Sequence, residues 1–185
     1  MKLSAILEDN IACVDQACSL LALLDTQAYT HRHPLCFNAS VGGHIRHNLD
    51  HYANFFRGLP LGRIDYESRE RDPSVETDLA AAHTALQSVA TRLAKLSPTD
   101  LEAGCSVRVN TDSDDDSDPE QWSGSTIRRE LQFLLGHAIH HHAQVAAMAR
   151  SLGIEPPAGF GMAPSTIRHQ ARQKAAAAEK AACAQ

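Results

Sequence analysis

Residues 136–144 read GHAIHHHAQ, four histidines crowded into an otherwise amphipathic helical pattern. That pattern starts near Ser125 and runs to Leu152, where Gly153 supplies a natural stop. A helix advances ~100° per residue. With His137 as origin, Ile127, Leu131, Leu134, Ala138, Val145, Met148, Ala149 and Leu152 fall between roughly 20° and 120°. His141 lies at about 40°, on the edge of this inward face and one turn from His137. His140 falls at about −60° and His142 at about 140°, so both read as flanking residues. Glu130 and Gln144 land within about 20° of His137. The stretch therefore predicts a long, buried helix carrying a polar line of Glu130, His137, His141 and Gln144 beside its apolar face.

Such a helix needs partners, and three other stretches share its period. Residues 4–24 carry Ile6, Ile11, Val14, Ala17, Cys18 and Leu21 on one stripe. Residues 40–57 begin at Ser40, a good N-cap, and end before GLPLG. Residues 78–96 space Leu79, Ala82, Leu86, Val89 and Leu93 as one face. Long connections join them. Pro34 keeps DTQAYTHRHPLCFNA from continuing a helix, and the charged RIDYESRERDPS closes at Pro73. Between 97 and 123, CSVRVNT alternates like a short strand and DSDDDSDPE reads as an acidic turn, so a hairpin or an irregular loop fits. The acidic run lacks the Gly and Glu that a calcium loop places at its sixth and twelfth positions. The prediction is an all-α chain: an antiparallel four-helix bundle over residues 1–164, with 165–185 as an Ala-rich C-terminal helix or frayed tail.

A chain of 185 residues fits one domain. Its 43% hydrophobic and 21% charged residues match a soluble globular protein. A net charge of −5 with scattered basic residues argues against a nucleic-acid partner. No apolar run approaches the ~20 residues that span a membrane. The apolar N-terminal run is interrupted by Glu8, Asp9 and Asn10, unlike a signal peptide. Five cysteines without a CxxC spacing read as reduced thiols, which places the chain in the cytoplasm.

In bundles, metal and ligand sites are built from side chains on facing helices. His137 and His141, four residues apart, direct two imidazoles to one point, and imidazole is a good ligand for divalent transition metals. A second cluster, SVGGHIRHNLDHY at 40–52, lines His44, His47 and His51 on one stripe. Its apolar residues centre about 140° from His47, so face geometry prefers His44 or His51 as the inward ligand. One histidine from this helix completes a set of three, leaving an open position for water or substrate.

SVGGHIRHNLDHY and the later GHAIHHHAQVAAMARSLGI resemble the DinB-like superfamily of metal-binding four-helix bundles, over about Ser4 to Gly153. Members share a cap residue followed seven positions later by a histidine, and a His-x3-His pair followed by Gln. Residue by residue, the resemblance selects His47, seven after Ser40, together with His137, His141 and Gln144. It leaves His44 and His51, with Glu130 and Gln144, as supporting or alternative ligands. It implies a divalent metal ion, zinc or nickel first and iron or manganese next, and a homodimer. Related bundles serve enzymes that use low-molecular-weight thiols. The resemblance therefore implies a metal-dependent transferase or hydrolase that acts on a small molecule with a thiol or water nucleophile. The alternatives are a non-enzymatic, stress-associated metal-binding protein and a bundle used only for interaction. Arg63, Tyr66, Arg69 and Arg71, in the charged connection, are candidate contacts for an anionic substrate, since Arg suits carboxylates.

Overall fold

The structure, a computed structural model, describes residues 3–68, 70–109 and 122–183. Arg69 and the acidic run at 112–120 lie outside the described residues. Among the described residues there are seven α-helices: α1 (Ala5–Leu21), α2 (Thr26–Thr30), α3 (Val41–Gly58), α4 (Pro73–Thr77), α5 (Leu79–Leu93), α6 (Ile127–Ser151) and α7 (Pro164–Cys183). Three short strands join them, β1 (Arg63–Asp65), β2 (Gly104–Arg108) and β3 (Ser123–Thr126).

Of the helices α1, α3, α5 and α6, the last three start where a side chain caps them. Ser40 caps α3 by accepting from the amide of Gly43, Asp78 caps α5 through Ala80, and Thr126 caps α6 through Arg129. Gly153, in the left-handed region at φ 78°, ends α6. These helices pack in a closed ring, with α1 and α3 each touching both α5 and α6. The ring buries Leu7, Leu20, Ile45, Phe55, Leu93, Leu131, Leu134 and Met148 almost completely.

The stripe on α5 is the expected one, with Ala82, Leu86, Val89 and Leu93 buried. That on α1 is rotated from expectation. Leu7, Asn10, Val14, Ala17 and Leu21 are buried, while Ile6, Ile11 and Cys18 are only half-buried. The reason is Asn10, whose amide nitrogen donates to the carbonyls of Ile6 (2.8 Å) and Leu131 (3.2 Å). Its amide oxygen accepts from the Tyr52 hydroxyl at 2.8 Å. A polar side chain with every group paired sits in the core without penalty.

The connections hold more structure than expected. The stretch after α1 forms α2, whose Tyr29 hydroxyl donates to the Val75 carbonyl of α4 at 2.6 Å. Pro73 opens α4 rather than closing a loop. Of the hairpin and the irregular loop that both fit the stretch before α6, the structure has an antiparallel pair, β2 and β3, and β1 adds to it in parallel, giving a sheet in the order β1-β2-β3. The chain is thus mostly helical, as expected, with a small three-stranded sheet beside the helices. Gly42 lets α4 lie on α3, because a Cβ there would sit 2.0 Å from the Glu76 carbonyl oxygen.

Candidate metal centre

Helix α3 presents its histidines to α6. His47, His137 and His141 are half-buried, and one ring nitrogen of each lies within 4.8 Å of the others. The ring centroids are separated by 4.9 Å for His47 and His137, 4.6 Å for His47 and His141, and 4.5 Å for His137 and His141. Among the described residues this is the one cluster of three or more His, Cys, Asp or Glu side chains close enough to share an ion.

The other histidines of α3 are deeper. His44 and His51 are each 8% exposed, so burial ranks them above His47, as face geometry expects. His44 turns its Nδ1 to the Nδ1 of His141 at 2.8 Å. His51 donates from Nδ1 to the His47 carbonyl, one turn back on its own helix, and stacks on His137 with 4.1 Å between centroids. The two therefore brace the cluster from below while His47 stands at its edge.

The donor set suits a transition-metal ion. Burial, and then the neighbouring imidazoles of His137, His47, His44 and His140, push the His141 pKa down to about 2. Burial likewise lowers that of His44. An imidazole kept neutral in this way has its lone pair available at physiological pH, which is the form that binds a metal. The site thus fits an ion, with His47, His137 and His141 as the three side chains placed to hold it.

Behind the imidazoles lies an aromatic and acidic layer. Tyr66, fully buried just past β1, stacks on His51 with 5.6 Å between centroids. Its hydroxyl donates to Glu130 Oε2 at 3.0 Å, and burial followed by that carboxylate raises the Tyr66 pKa. Glu130, 4% exposed, also accepts from the Ser125 hydroxyl. Phe133 fills the angle between Tyr66 and His137.

The remaining expected site residues are dispersed. Glu130 is joined to the cluster through Tyr66. Gln144 donates its amide to Nε2 of the exposed His140 at 2.7 Å, beside the cluster. Arg63 lies over the Trp122 ring, and Arg71 is exposed with a left-handed φ of 53°. His142, expected as a flanking residue, is buried. It stacks on Phe160 and its Nδ1 lies 3.5 Å from the Cys13 sulfur. Sequence reasoning missed Phe133 and Ser125. Phe133 carries a usable signal, being four residues before His137 on the same side of the helix.

Three comparisons with known proteins bear on these observations. The family model described as DinB family matches residues 3–167. The chain is 32% identical over 111 residues to FK506-binding protein 5 of Rhizopus delemar, a match covering 60% of this chain. It spans only 28% of that protein's length. No solved structure matches the chain significantly.

Proposed function

The chain belongs to the DinB family, and from that premise we propose that it is a metal-dependent transferase or hydrolase acting on a small molecule. The observation that carries this reading is the convergence of His47, His137 and His141 to within 4.8 Å from two facing helices. The ring of α1, α3, α5 and α6 is read as the family's four-helix bundle, and α7 as a separate C-terminal element.

His47, His137 and His141 would hold the ion, and the chemistry it would supply is Lewis-acid activation of a thiol or water as a nucleophile at neutral pH. Everything else is supplied by the chain. His44 fixes the ring of His141: one Nδ1 donates and the other accepts across 2.8 Å, which leaves Nε2 of His141 outside that bond and available to an ion. His51 and Phe133 wall in His137. Tyr66 carries the support on to Glu130 and so ties the imidazole layer to the start of α6.

Protein purified without an affinity tag is expected to contain one divalent ion per chain by elemental analysis. The triple variant H47A/H137A/H141A is expected to contain none. Unchanged metal content in that variant overturns the ligand assignment. Metal-loaded protein is then expected to turn over a small thiol with an electrophile, or to hydrolyse an ester or amide, and to lose this activity on chelation.

A further inference from the structure

A cavity of about 350 Å³ lies where the end of α3 meets β1, lined in part by Asn54, Arg57, Gly58, Leu61, Arg63 and Trp122. Among the described residues, the charges around it balance except for one. Arg57 is paired with Glu70 at 2.7 Å and held by the Asn54 side-chain oxygen at 2.8 Å. Arg108 is paired with Asp65 at 2.6 Å. Arg63 has no carboxylate partner among the described residues; its guanidinium lies over the Trp122 ring, 4.2 Å from the centroid. Stacking on an aromatic face fixes the plane of an Arg side chain while leaving its edge donors free. Asn54, 2% exposed, has a side-chain nitrogen with no hydrogen-bond partner among the described residues. A buried donor in that state is unfavourable, and an incoming acceptor offsets the cost.

We propose that this cavity binds a small monocarboxylate. The Arg63 guanidinium would take the carboxylate, with Leu61 and the Trp122 ring against its apolar body. The one positive charge left unpaired among the described residues matches one negative charge. Asp65 lines the cavity and Glu70 is bound to one of its arginines, so a dianion such as phosphate meets about twice the repulsion that a monoanion does. Planar guanidinium and planar carboxylate pair through two parallel hydrogen bonds, a geometry that chloride cannot reproduce. The assignment stands apart from the metal centre, because none of the lining residues belongs to the histidine cluster.

Trp122 is the only tryptophan in the chain, so its fluorescence reports this cavity alone. Titration of the full-length protein with sodium propionate and sodium isovalerate is expected to change that emission saturably, in the millimolar range. Sodium chloride at matched ionic strength is expected to leave it unchanged, and phosphate to act at least tenfold more weakly. Arg63→Gln, an exposed position, is expected to keep the melting temperature and weaken carboxylate binding at least tenfold. Calorimetry checks this independently of the altered indole environment. Equal responses to chloride or phosphate, no response to either carboxylate, or undiminished calorimetric binding in R63Q would overturn the proposal.

Discussion

The Nδ1 atoms of His44 and His141 lie 2.8 Å apart, across the interface of α3 and α6. Two ring nitrogens at that distance share one proton, so each ring constrains the tautomer of the other. If His141 presents Nε2 to an ion, its Nδ1 is the donor and His44 the acceptor. His44→Leu removes that acceptor and is expected to weaken metal affinity about 10–100-fold, as is usual for partners that orient a ligand. His44→Gln, whose amide oxygen can accept, is expected to recover part of the loss. Competition with a chromogenic chelator measures both, and wild-type affinity in H44L would sink the orienting role.

Tyr66→Phe tests the layer behind the imidazoles. It deletes the hydroxyl that donates to the buried Glu130 and leaves the stack on His51 in place. The expected loss is about 1–3 kcal/mol of stability, the cost of a buried acceptor deprived of a donor. At about 2–4 °C per kcal/mol for a chain of this size, the melting temperature falls by several degrees. Metal content is expected to stay at the wild-type level. An unchanged melting temperature would show that the Tyr66–Glu130 bond contributes nothing.

Acid is expected to destabilise the metal-free protein through its buried histidines. Burial lowers the His142 pKa from its ordinary 6.5 to about 4. Between those values the unfolded chain binds a proton that the folded chain refuses, so stability is fully present above about pH 6.5 and is lost as pH falls toward 4. In chelator, the melting temperature at pH 5.0 should lie below that at pH 7.5. His142→Gln should flatten this slope, and an identical slope in the variant would remove His142 from the account.

Gly42→Ala addresses the seam between α3 and α4. The added methyl would sit 2.0 Å from the Glu76 carbonyl oxygen and 2.9 Å from the Tyr29 ring. Backbone cannot yield there without moving α4, so a loss of at least about 1–3 kcal/mol is expected, as for overpacked cores. Urea denaturation gives the value, and wild-type stability would mean that α4 is free to shift.

The helices were legible because burial on one side of a helix imposes a 3.6-residue period, and α5 and α6 carry it almost without exception. On α1 the stripe is read slightly out of phase, since hydropathy discounts Asn10 although its hydrogen bonds place it in the core. Strand β1 was not legible. Three residues carry too little pattern, and the partner Arg108 lies 43 residues away from Asp65. On α3, helical-face arithmetic correctly ranks His44 and His51 as the deeper residues. Depth and convergence differ there: the nitrogens of His137 and His141 are met by His47 at the edge of the buried face. That separation depends on how α3 is seated against α6, which no single helix encodes.

The pairing of β1 with β2 also fixes an order in time. Its ladder, and the bond from the Tyr66 amide to the Arg108 carbonyl, join segments separated by α4 and α5. Closing so long a loop costs entropy before the first of these bonds repays it, whereas each helix gains its bonds locally. Tyr66 therefore reaches its place late, after the helices α3 and α6 have themselves formed. Amide protons of Tyr66 and Ser106 should gain protection in refolding later than those within α3 and α6, so the helices that carry the histidines form before the backing of Tyr66 arrives.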